Sequence, residues 1–336
     1  MGFTSKRILI TGSSGQIGTN LALALQAAGH AVDGMDNRRN GWTDDILTTR
    51  RDLTLPFLGV PPGGASCVVH LAAHAKVHAT VTRPQWAMDN IQMTFNVLEY
   101  CRKYDLPIVY ASSREVYGDV HRFLTEESQV NHSYTESPYS ASKLAGEALV
   151  YSYARCYGLR YIVFRFSNVY GRYDNDLDRM ERVIPLFIDR ISQGQPITVY
   201  GEKKTLDFTY VDDCVAGITA GVDLLASGAA VNETVNLAYG RGHTLAEMAY
   251  MIGDELGVRP RMTIEPARVG EVTHYVANVG KARALLGYEP QVTLRDGIRR
   301  AVEWSRYWNG NNATGGQSHL SGASDAGRDD PVFEAT

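Results

Sequence analysis

The stretch KRILITGSSGQIG, which spans residues 6–18, decides the fold that this chain is expected to adopt. Its first part, Lys6–Thr11, is rich in isoleucine and leucine and predicts a buried strand, and a helical pattern starts at Gln16. Three glycines join the two elements with the spacing G-x-x-G-x-x-G. The first permits a tight turn, the second lets the backbone approach a pyrophosphate, and the third lets the helix pack closely on the sheet.

The start of that helix predicts a dinucleotide site. Its first N–H groups have no partner within the helix and lie at the positive end of the helix dipole, so they can bind a pyrophosphate. The residues expected to contribute are Gly12, Gly15, Gln16, Ile17 and Gly18. A glycine turn without a ligand is the alternative. The strand before the turn, the helix after it and an acid at the end of the second predicted strand all disfavour that alternative.

That acid is Asp36, the last residue of a strand predicted over Ala31–Asp36. A carboxylate at this place can accept hydrogen bonds from both ribose hydroxyls, and it would repel the 2′-phosphate of NADP. The position therefore favours NAD as the cofactor. Arg38 and Arg39 follow closely and weaken this preference, because a cation can accommodate a 2′-phosphate.

Apolar runs alternate with helical patterns through the first two thirds of the chain. Further strands are predicted at Cys67–Ala72, Pro107–Ser112 and Arg160–Phe166. This alternation is typical of a parallel sheet covered on both faces, so we expect an α/β fold with a Rossmann-type doubly wound parallel sheet. After about Gly171 the strands shorten and mix with helices such as Thr244–Leu256 and Gly280–Leu286. That change predicts a smaller C-terminal α/β substrate-binding lobe.

These patterns set the expected domain boundaries. The NAD-binding Rossmann domain is predicted over residues 1–170, with about 206–242 interleaved, the substrate-binding lobe mainly over 171–308, and a tail over 309–336. The tail is rich in Gly, Ser, Asn and Asp and cannot bury a core, so it is predicted to be disordered.

The composition argues against several classes of protein. The chain has 336 residues with 44% hydrophobic, enough for a sizeable core, and a net charge of −4 without a basic patch argues against a nucleic-acid partner. No apolar run is long enough to cross a membrane, and the four cysteines form no CxxC pair. We therefore expect a soluble, cytoplasmic protein whose cysteines are buried, reduced thiols. His74 and His78 have the spacing of a metal pair but lack a third ligand, so no metal site is predicted.

Tyr139 and Lys143 are the first candidates for chemistry, because they lie four residues apart on a helix predicted over Pro138–Tyr157. This spacing puts them on one helix face, where an ammonium is expected to lower the phenol pKa from about 10 toward neutrality. Such a tyrosine can take a proton from a sugar hydroxyl while a hydride leaves the same carbon. Ser113 follows a predicted strand at the sheet edge where ligands bind, and its hydroxyl can hydrogen-bond the reacting oxygen. A solvent-exposed Tyr–Lys pair is the alternative.

In their order and spacing, these motifs resemble the extended short-chain dehydrogenase/reductase family, in particular its nucleotide-sugar epimerases and dehydratases. The resemblance covers roughly residues 6–307 and includes the run SSREVYG at 112–118. It implies that Tyr139 is the catalytic base, that Lys143 tunes it and holds the ribose, and that Ser113 positions the hydroxyl. It also implies that NAD stays bound while a 4-keto sugar forms, rotates and takes the hydride back on its other face.

The same resemblance assigns further residues. It places at the cofactor Asn37, Asp52, Leu53, Leu71, Ala72, Ala73 and Lys76. It makes Asn90 a structural residue of a long helix, Asn168 a substrate contact and Arg268 a ligand of the substrate diphosphate. It also implies a homodimer through a four-helix interface, built from this long helix and the helix that carries Tyr139 and Lys143.

Arg114 bears on the type of reaction. In the family's 4,6-dehydratases the residue at this place is a general acid, and a guanidinium cannot donate a proton usefully at neutral pH, so dehydration is disfavoured. An arginine near sugar C6 instead suits a carboxylate, which predicts a uronic-acid substrate such as UDP-glucuronate. The alternative is that Arg114 points away and pairs with Glu115 or Asp119.

Other positions bear on the same choice. Leu206 stands where the family's decarboxylases carry an arginine tied to loss of carbon dioxide, which disfavours decarboxylation, whereas Glu115 favours it. Arg179 and Arg182 replace a segment that often contacts uracil in epimerases. Either arginine could bind the diphosphate or the sugar carboxylate, or lie on a solvated helix face.

The favoured interpretation is an NAD-dependent nucleotide-sugar 4-epimerase that converts UDP-glucuronate into UDP-galacturonate. The alternatives are a UDP-glucuronate decarboxylase or another lyase that forms a 4-keto sugar, a UDP-glucose 4-epimerase, and a non-catalytic NAD sensor. The residues expected to bind the sugar nucleotide are Arg114, Glu115, Asn168, Arg182 and Arg268.

Overall fold

The computed structural model describes residues 5–57, 63–119, 124–177, 182–229 and 231–314. Arg179 and residues 315–336 of the expected tail lie outside these ranges.

Strands in the described ranges form one large sheet and two small ones. The strands are β1 (Arg7–Thr11), β2 (Ala31–Asp36), β3 (Thr48–Arg50), β4 (Cys67–His70), β5 (Ile108–Ser113), β6 (Tyr161–Phe166), β7 (Asn168–Tyr170), β8 (Ile197–Tyr200), β9 (Thr205–Tyr210), β10 (Asn232–Leu237), β11 (Gly242–Thr244), β12 (Met262–Glu265) and β13 (His274–Tyr275). The large sheet has seven strands in the order β10-β6-β5-β4-β1-β2-β3, and every neighbouring pair is parallel. This confirms the predicted Rossmann-type fold.

Helices cover both faces of the large sheet. The α-helices of the described ranges, including those that pack on the small sheets, are α1 (Gln16–Ala27), α2 (Val77–Thr82), α3 (Gln85–Tyr104), α4 (Pro138–Tyr157), α5 (Val183–Ser192), α6 (Val211–Ala226), α7 (Leu245–Leu256), α8 (Gly280–Leu286) and α9 (Leu294–Thr314). Successive strand residues point to opposite faces, so β1 contributes Ile8 and Ile10 to the core under α1 and α6, and Leu9 to the core under α3 and α4. The buried sequence of each strand is therefore apolar without alternation, as parallel sheets require.

The strand order reverses between β1 and β4, and that reversal fixes where ligands bind. The connection after β1 leads to β2 on one side, whereas β4 begins the run toward β5 and β6 on the other. In open α/β sheets the crevice outside the carboxyl ends of the strands, at this switch point, is the ligand site. The glycine turn after Thr11 and the segment after His70 both lie at this crevice.

A second layer of structure follows β6. Strands β11, β9 and β13 form one small sheet, with β7 also paired to β9, and β12 pairs with β8 in another. Between them the chain returns to the large sheet, because α6 packs against α1 and β10 extends the sheet beside β6.

Helix α9 corrects the expected start of the tail at residue 309, because the helix continues to Thr314. Its aromatic face holds it to the rest of the fold. Trp304 donates from Nε1 to Asn175 Oδ1 at 2.9 Å and packs against Tyr173, while Trp308 packs against Trp42. These aromatic residues outweigh the low helix propensity of the Asn and Gly residues that follow them.

The cysteine expectation is wrong at one position. All four cysteines are free, and Cys67, Cys101 and Cys214 are buried, but Cys156 is exposed near the end of α4. None of the helices in the described ranges is long and apolar enough to span a membrane.

Candidate active site

The glycine turn has the geometry that its sequence predicts, with one difference. Gly12 has φ +77°, and a Cβ on it would lie 2.7 Å from the backbone nitrogen of Ala72, so both the turn and the close approach of β4 require glycine. A Cβ on Gly18 would collide with the carbonyl oxygen of Gly12. Gly18 therefore lets α1 pack against the turn itself, rather than against the sheet. A Cβ on Gly15 would meet only the oxygen of Gly12, at 3.3 Å.

The groups around this turn fit a dinucleotide. Gly15 caps α1 without a side-chain hydrogen bond, so the first N–H groups of the helix are available to a pyrophosphate. Gln16, the first helical residue, is only 6% exposed, and its Nε2 donor is buried without a partner. A buried amide donor beside a bare helix start matches the oxygens of a pyrophosphate, because an unpaired buried donor is otherwise costly.

Asp36 lies where a ribose would be recognised. Its Oδ2 accepts from the Ser14 amide at 3.0 Å and its Oδ1 from the Arg38 amide at 3.2 Å, which leaves a lone pair on each oxygen for a ribose hydroxyl. Burial raises the pKa of this carboxyl. The Arg38 guanidinium is turned back onto the carbonyl of Ser14, at 2.6 Å.

The other predicted cofactor residues surround the same edge of the sheet. Leu71–Ala73 directly follow β4, and Lys76 precedes α2. Leu53 is buried, and Asn37 and Asp52 are exposed beyond β2 and β3. Asp52 Oδ1 accepts from the backbone and the hydroxyl of Thr54. Their contacts to NAD remain predictions.

Local capping explains why Tyr139 and Lys143 lie at the sheet edge. Helix α4 starts where Ser137 accepts from the Ser140 amide at 3.1 Å and Pro138 occupies the first helical position. Tyr139 therefore lies in the first turn, where its hydroxyl is close enough to the Ser113 side chain at the end of β5 for Ser113 to lower the Tyr139 pKa. Lys143 lies one turn later, with Nζ 5.8 Å from the centre of the Tyr139 ring. The structure thus brings the three predicted catalytic residues together.

The charge state of this trio differs from the expectation. Burial, and then the nearby Glu115 carboxylate, raise the pKa of Tyr139 to about 12. Burial lowers the pKa of Lys143 to about 8, against the opposing effect of Glu147. Lys143, whose Nζ donates to the carbonyl of Ala111 at 2.8 Å, therefore loses its proton before Tyr139 does. The pKa of Tyr139 is thus raised rather than lowered, so the prediction that Lys143 brings the phenol pKa toward neutrality is wrong.

Sequence reasoning missed a buried network behind the trio. Arg165, the last residue but one of β6, makes a two-pronged ion pair with Glu147, at 2.9 and 2.7 Å. Glu147 also accepts from the Ser112 hydroxyl at 2.5 Å, and Arg165 donates to the Tyr117 hydroxyl at 3.1 Å. The network ties α4 to β5 and β6 and so fixes the helix that carries Tyr139. A charge inside an apolar strand was the available signal, since buried charges need partners.

Arg114 and Glu115 follow Ser113 in a short 3₁₀ helix and form a buried ion pair at 2.8 Å. Pairing of Arg114 with Glu115 was the alternative that the sequence offered to substrate binding by Arg114. The pair forms, but both side chains are buried and not directed to solvent. The two residues are 8% and 4% exposed, and each keeps one buried atom without a partner, Nη1 of Arg114 and Oε2 of Glu115. Both charges act on the pKa of Tyr139, so the pair lies in the neighbourhood of the Tyr139 hydroxyl. Burial raises the pKa of Glu115.

A second ion pair and a buried acid complete this side, which we call the sugar side. Lys204 contacts Glu271 at 2.6 Å, and both act on the pKa of Glu115. Asp207 is fully buried and accepts from the amides of Tyr239, Gly240 and Ala277. Burial nevertheless raises the pKa of Asp207 to about 7.

The remaining predicted residues have partners or positions outside the trio. The amide of Asn168 donates to the carbonyl of Asp207 at 3.0 Å. Arg268 is exposed and stacks on the Tyr200 ring at 4.0 Å. Leu206 is a core residue, 3% exposed. Nothing in the structure brings Arg268 into contact with the trio, and its diphosphate role remains a prediction.

Two predicted residues link the parts of the site. Asn90 accepts from the amide of His74 at 2.7 Å and donates to the Ser142 hydroxyl at 3.1 Å, so it joins α3, α4 and the segment after β4, as a structural asparagine should. Arg182 donates from Nη1 to Asp174 at 2.8 Å and to the side-chain oxygen of Gln16. It therefore contacts the start of α1, directly after the glycine turn.

Known proteins match this geometry over most of the chain. The model of the NAD dependent epimerase/dehydratase family matches residues 8–238. A putative UDP-glucose 4-epimerase of Methanocaldococcus jannaschii is 33% identical over 89% of this chain and 98% of the relative, and UDP-glucuronate 4-epimerase 1 of Arabidopsis thaliana is 31% identical over 91% and 78%. The crystal structure of UDP-glucose 4-epimerase with UDP-glucose from Thermotoga maritima aligns with a TM-score of 0.82 at 30% identity, over 90% of this chain and 99% of that one.

Proposed function

This chain belongs to the NAD-dependent epimerase/dehydratase family, and from that membership we propose that it is a UDP-sugar 4-epimerase whose substrate is UDP-glucuronate. The relatives named above act on UDP-glucose or UDP-glucuronate, and they support the epimerase activity without separating the two sugars. The separation must come from the sugar side of this chain's own site.

The choice of UDP-glucuronate as substrate rests mainly on the unpartnered Nη1 atom of Arg114. This donor is buried beside Tyr139, and a buried guanidinium nitrogen without an acceptor is costly. A carboxylate at sugar C6 would supply the missing acceptor through a charge-assisted hydrogen bond. Lys204 also lies close enough to act on the Glu115 carboxyl, and its ion-pair partner Glu271, at 2.6 Å, opposes its charge there.

Each member of the trio has one task in the reaction. Tyr139 takes the proton of the sugar 4-hydroxyl, and the Ser113 hydroxyl, which lies close enough to Tyr139 to lower its pKa, holds the reacting oxygen in line. Lys143, whose pKa burial lowers to about 8, still carries its proton at pH 7, and its charge stabilises the phenolate form of Tyr139 that takes this proton. NAD, held by the glycine turn and Asp36, would supply a reversible hydride acceptor for sugar C4, and epimerisation would require both faces of that carbon to be presented to it in turn.

UDP-glucose is the second candidate, and the Arg114–Glu115 pair favours it. Glu115 neutralises Arg114 within the same buried pair, and a second carboxylate must be accommodated beside it if the substrate is a uronic acid. The hydroxyl of a neutral sugar could instead donate to the unpartnered Oε2 of Glu115.

Product analysis distinguishes these reactions. The purified protein is incubated with UDP-glucuronate or with UDP-glucose, without added cofactor, and the products are followed by proton NMR. The C4 epimer of the uronic acid is the expected product. Carbon dioxide and a pentose product would indicate a decarboxylase, turnover of UDP-glucose alone would overturn the uronate proposal, and no turnover would favour an NAD sensor. Tyr139→Phe serves as the inactive control.

The expected homodimer also remains a proposal. Helices α3 and α4 pack together, and α3 exposes Met88 and Phe95 seven residues apart on one face, while α4 exposes Tyr157. Large exposed apolar side chains on a helix pair fit a second helix pair as partner. Light scattering after size exclusion should give twice the chain mass, and Phe95→Lys should give the single chain.

A further inference from the structure

Arg182 joins two parts of the molecule that the sequence separates widely. It precedes α5, and its guanidinium donates both to Asp174 and to Gln16, the first residue of the cofactor helix. The sequence assigned Arg182 to the sugar nucleotide, but its contacts as described are with the cofactor turn. We call Gln16, Asp174 and Arg182 the clasp.

The two outer members of the clasp are buried and only partly satisfied. Gln16 and Asp174 are each 6% exposed. Gln16 keeps a buried Nε2 donor without a partner, and Asp174 keeps a buried Oδ2 acceptor without one. Buried polar atoms are normally paired, and each such exception needs a reason. The Gln16 donor lies at the helix start that would bind the pyrophosphate, so a pyrophosphate oxygen would be its missing acceptor.

The loop that carries Asp174 is tied to the cofactor helix at further points. The carbonyl of Arg172 accepts from Asn20, one turn after Gln16, at 3.2 Å. Tyr173 has φ +60°, which is unusual for a residue other than glycine, and its ring packs between Trp42 and Trp304. Movement of this loop therefore changes the surroundings of the helix start.

From this geometry we infer that the clasp retains NAD between turnovers. Asp174 orients Arg182, Arg182 holds the side-chain oxygen of Gln16, and the fixed Gln16 amide presents its Nε2 to a pyrophosphate oxygen. Asp174 and Arg182 are thus positioning residues that act on the dinucleotide through Gln16. The inference concerns the cofactor alone and stands whichever sugar the enzyme takes.

The test measures release of NAD in the absence of any sugar. Protein is loaded with NAD, freed of excess NAD by gel filtration, and mixed with isotopically labelled NAD, and the exchange rate is measured. Arg182→Gln and Asp174→Asn should each exchange about tenfold faster than wild type or more, because each breaks a largely buried charged hydrogen bond. The double variant should exchange no faster than the faster single variant, because both residues act through one contact.

Arg172→Gln is the matched control. Arg172 is in the same loop and also loses one positive charge, but its side chain pairs with Asp212 at the surface, and it reaches α1 only through its carbonyl. Its exchange rate should stay within about twofold of wild type. Wild-type exchange in Arg182→Gln, with only the KM for the UDP-sugar raised, would overturn the inference and return Arg182 to the substrate.

Arg182→Lys covers the case in which the other variants fold poorly. It keeps the cation and can still pair with Asp174, but a single ammonium lacks the fork that reaches two acceptors. It should exchange NAD faster than wild type while melting at the same temperature. A change in melting temperature without faster exchange would show a purely structural role and would also overturn the inference.

Discussion

The cofactor side of this site is formed mainly by backbone features, whereas the sugar side is formed by charged side chains. The cofactor side consists of a tight turn, three glycines, a bare helix start and one acid, all within residues 11–36. The sugar side consists of long charged side chains, Arg114, Glu115, Lys204 and Glu271, brought together from distant parts of the chain. Backbone geometry therefore shapes the proposed cofactor site, whereas the pairing of side chains shapes the proposed sugar site.

The largest effect is expected where the two sides meet, at Tyr139. Tyr139→Phe removes the proton acceptor but keeps the ring, so turnover should fall by about a thousandfold or more. Bound NAD, measured by its absorbance after gel filtration, should be unchanged. Substantial residual activity would contradict the assigned role, and loss of NAD would show that Tyr139 belongs to the cofactor side as well.

The second-largest effect is expected from a variant that disrupts the glycine turn of the cofactor side. Gly12→Ala puts a Cβ against the backbone of Ala72 in a left-handed conformation that costs about 1–3 kcal/mol. NAD affinity should fall about a hundredfold or more, and the melting temperature should drop. Gly15→Ala is the control, because Gly15 has φ −81° and more room, so the protein should remain folded. Equal loss of stability in both variants would contradict the difference between the two glycines.

A smaller effect tests the sugar side. Arg114→Met removes the unpartnered donor, and UDP-glucuronate should lose about 2 kcal/mol of transition-state binding, a fall of about 30-fold in kcat/KM. UDP-glucose should lose much less, and NAD binding should not change. Glu115→Gln is the companion variant, since it removes a negative charge from beside the uronate and should favour that substrate. Equal losses for both sugars in Arg114→Met would overturn the carboxylate proposal.

The smallest expected effect is on the pH dependence of stability, through Asp174 of the clasp. Burial raises the pKa of Asp174 from 3.8 to about 7, against the opposing charge of Arg182. Between these values the folded protein binds a proton that the unfolded chain has lost, so this group's contribution to stability falls as pH rises from about 4 to 7. Asp174→Asn should therefore show a flatter melting temperature between pH 5 and 7, measured by calorimetry. Asp207 titrates in the same direction, so part of the slope should remain.

The sequence predicted local features well. The bounds of α4 and of β2 agree with the structure, and the glycine turn has the positive φ at Gly12 that its spacing requires. Such features depend on neighbouring residues, so capping, periodicity and turn chemistry are sufficient to find them. The family resemblance identified Ser113, Tyr139 and Lys143, and the sheet edge brings them together.

What depends on burial and distant pairing could not be predicted in the same way. The pKa of Tyr139 moved opposite to the expectation, because burial of the phenol and the charge of Glu115 outweigh a lysine that is itself buried. The assignment of Arg182 to the substrate stays a prediction, and its contacts with Gln16 and Asp174 could not be foreseen because these residues lie on other segments. The start of the tail was misjudged because α9, which Trp304 and Trp308 hold to the rest of the fold, continues to Thr314 despite its local composition.

The aromatic residues around the loop that carries Asp174 also give the protein an optical signal. Of the four tryptophans, Trp42, Trp304 and Trp308 pack together there, and Trp86 lies apart, stacked on His74. Intrinsic fluorescence should therefore come mainly from the neighbourhood of the loop and α9. Loop opening should shift this emission to longer wavelength, and reduced nicotinamide, which absorbs at the emission wavelength of tryptophan, should quench it. Stopped-flow fluorescence can thus follow loop movement and cofactor oxidation state without an added label.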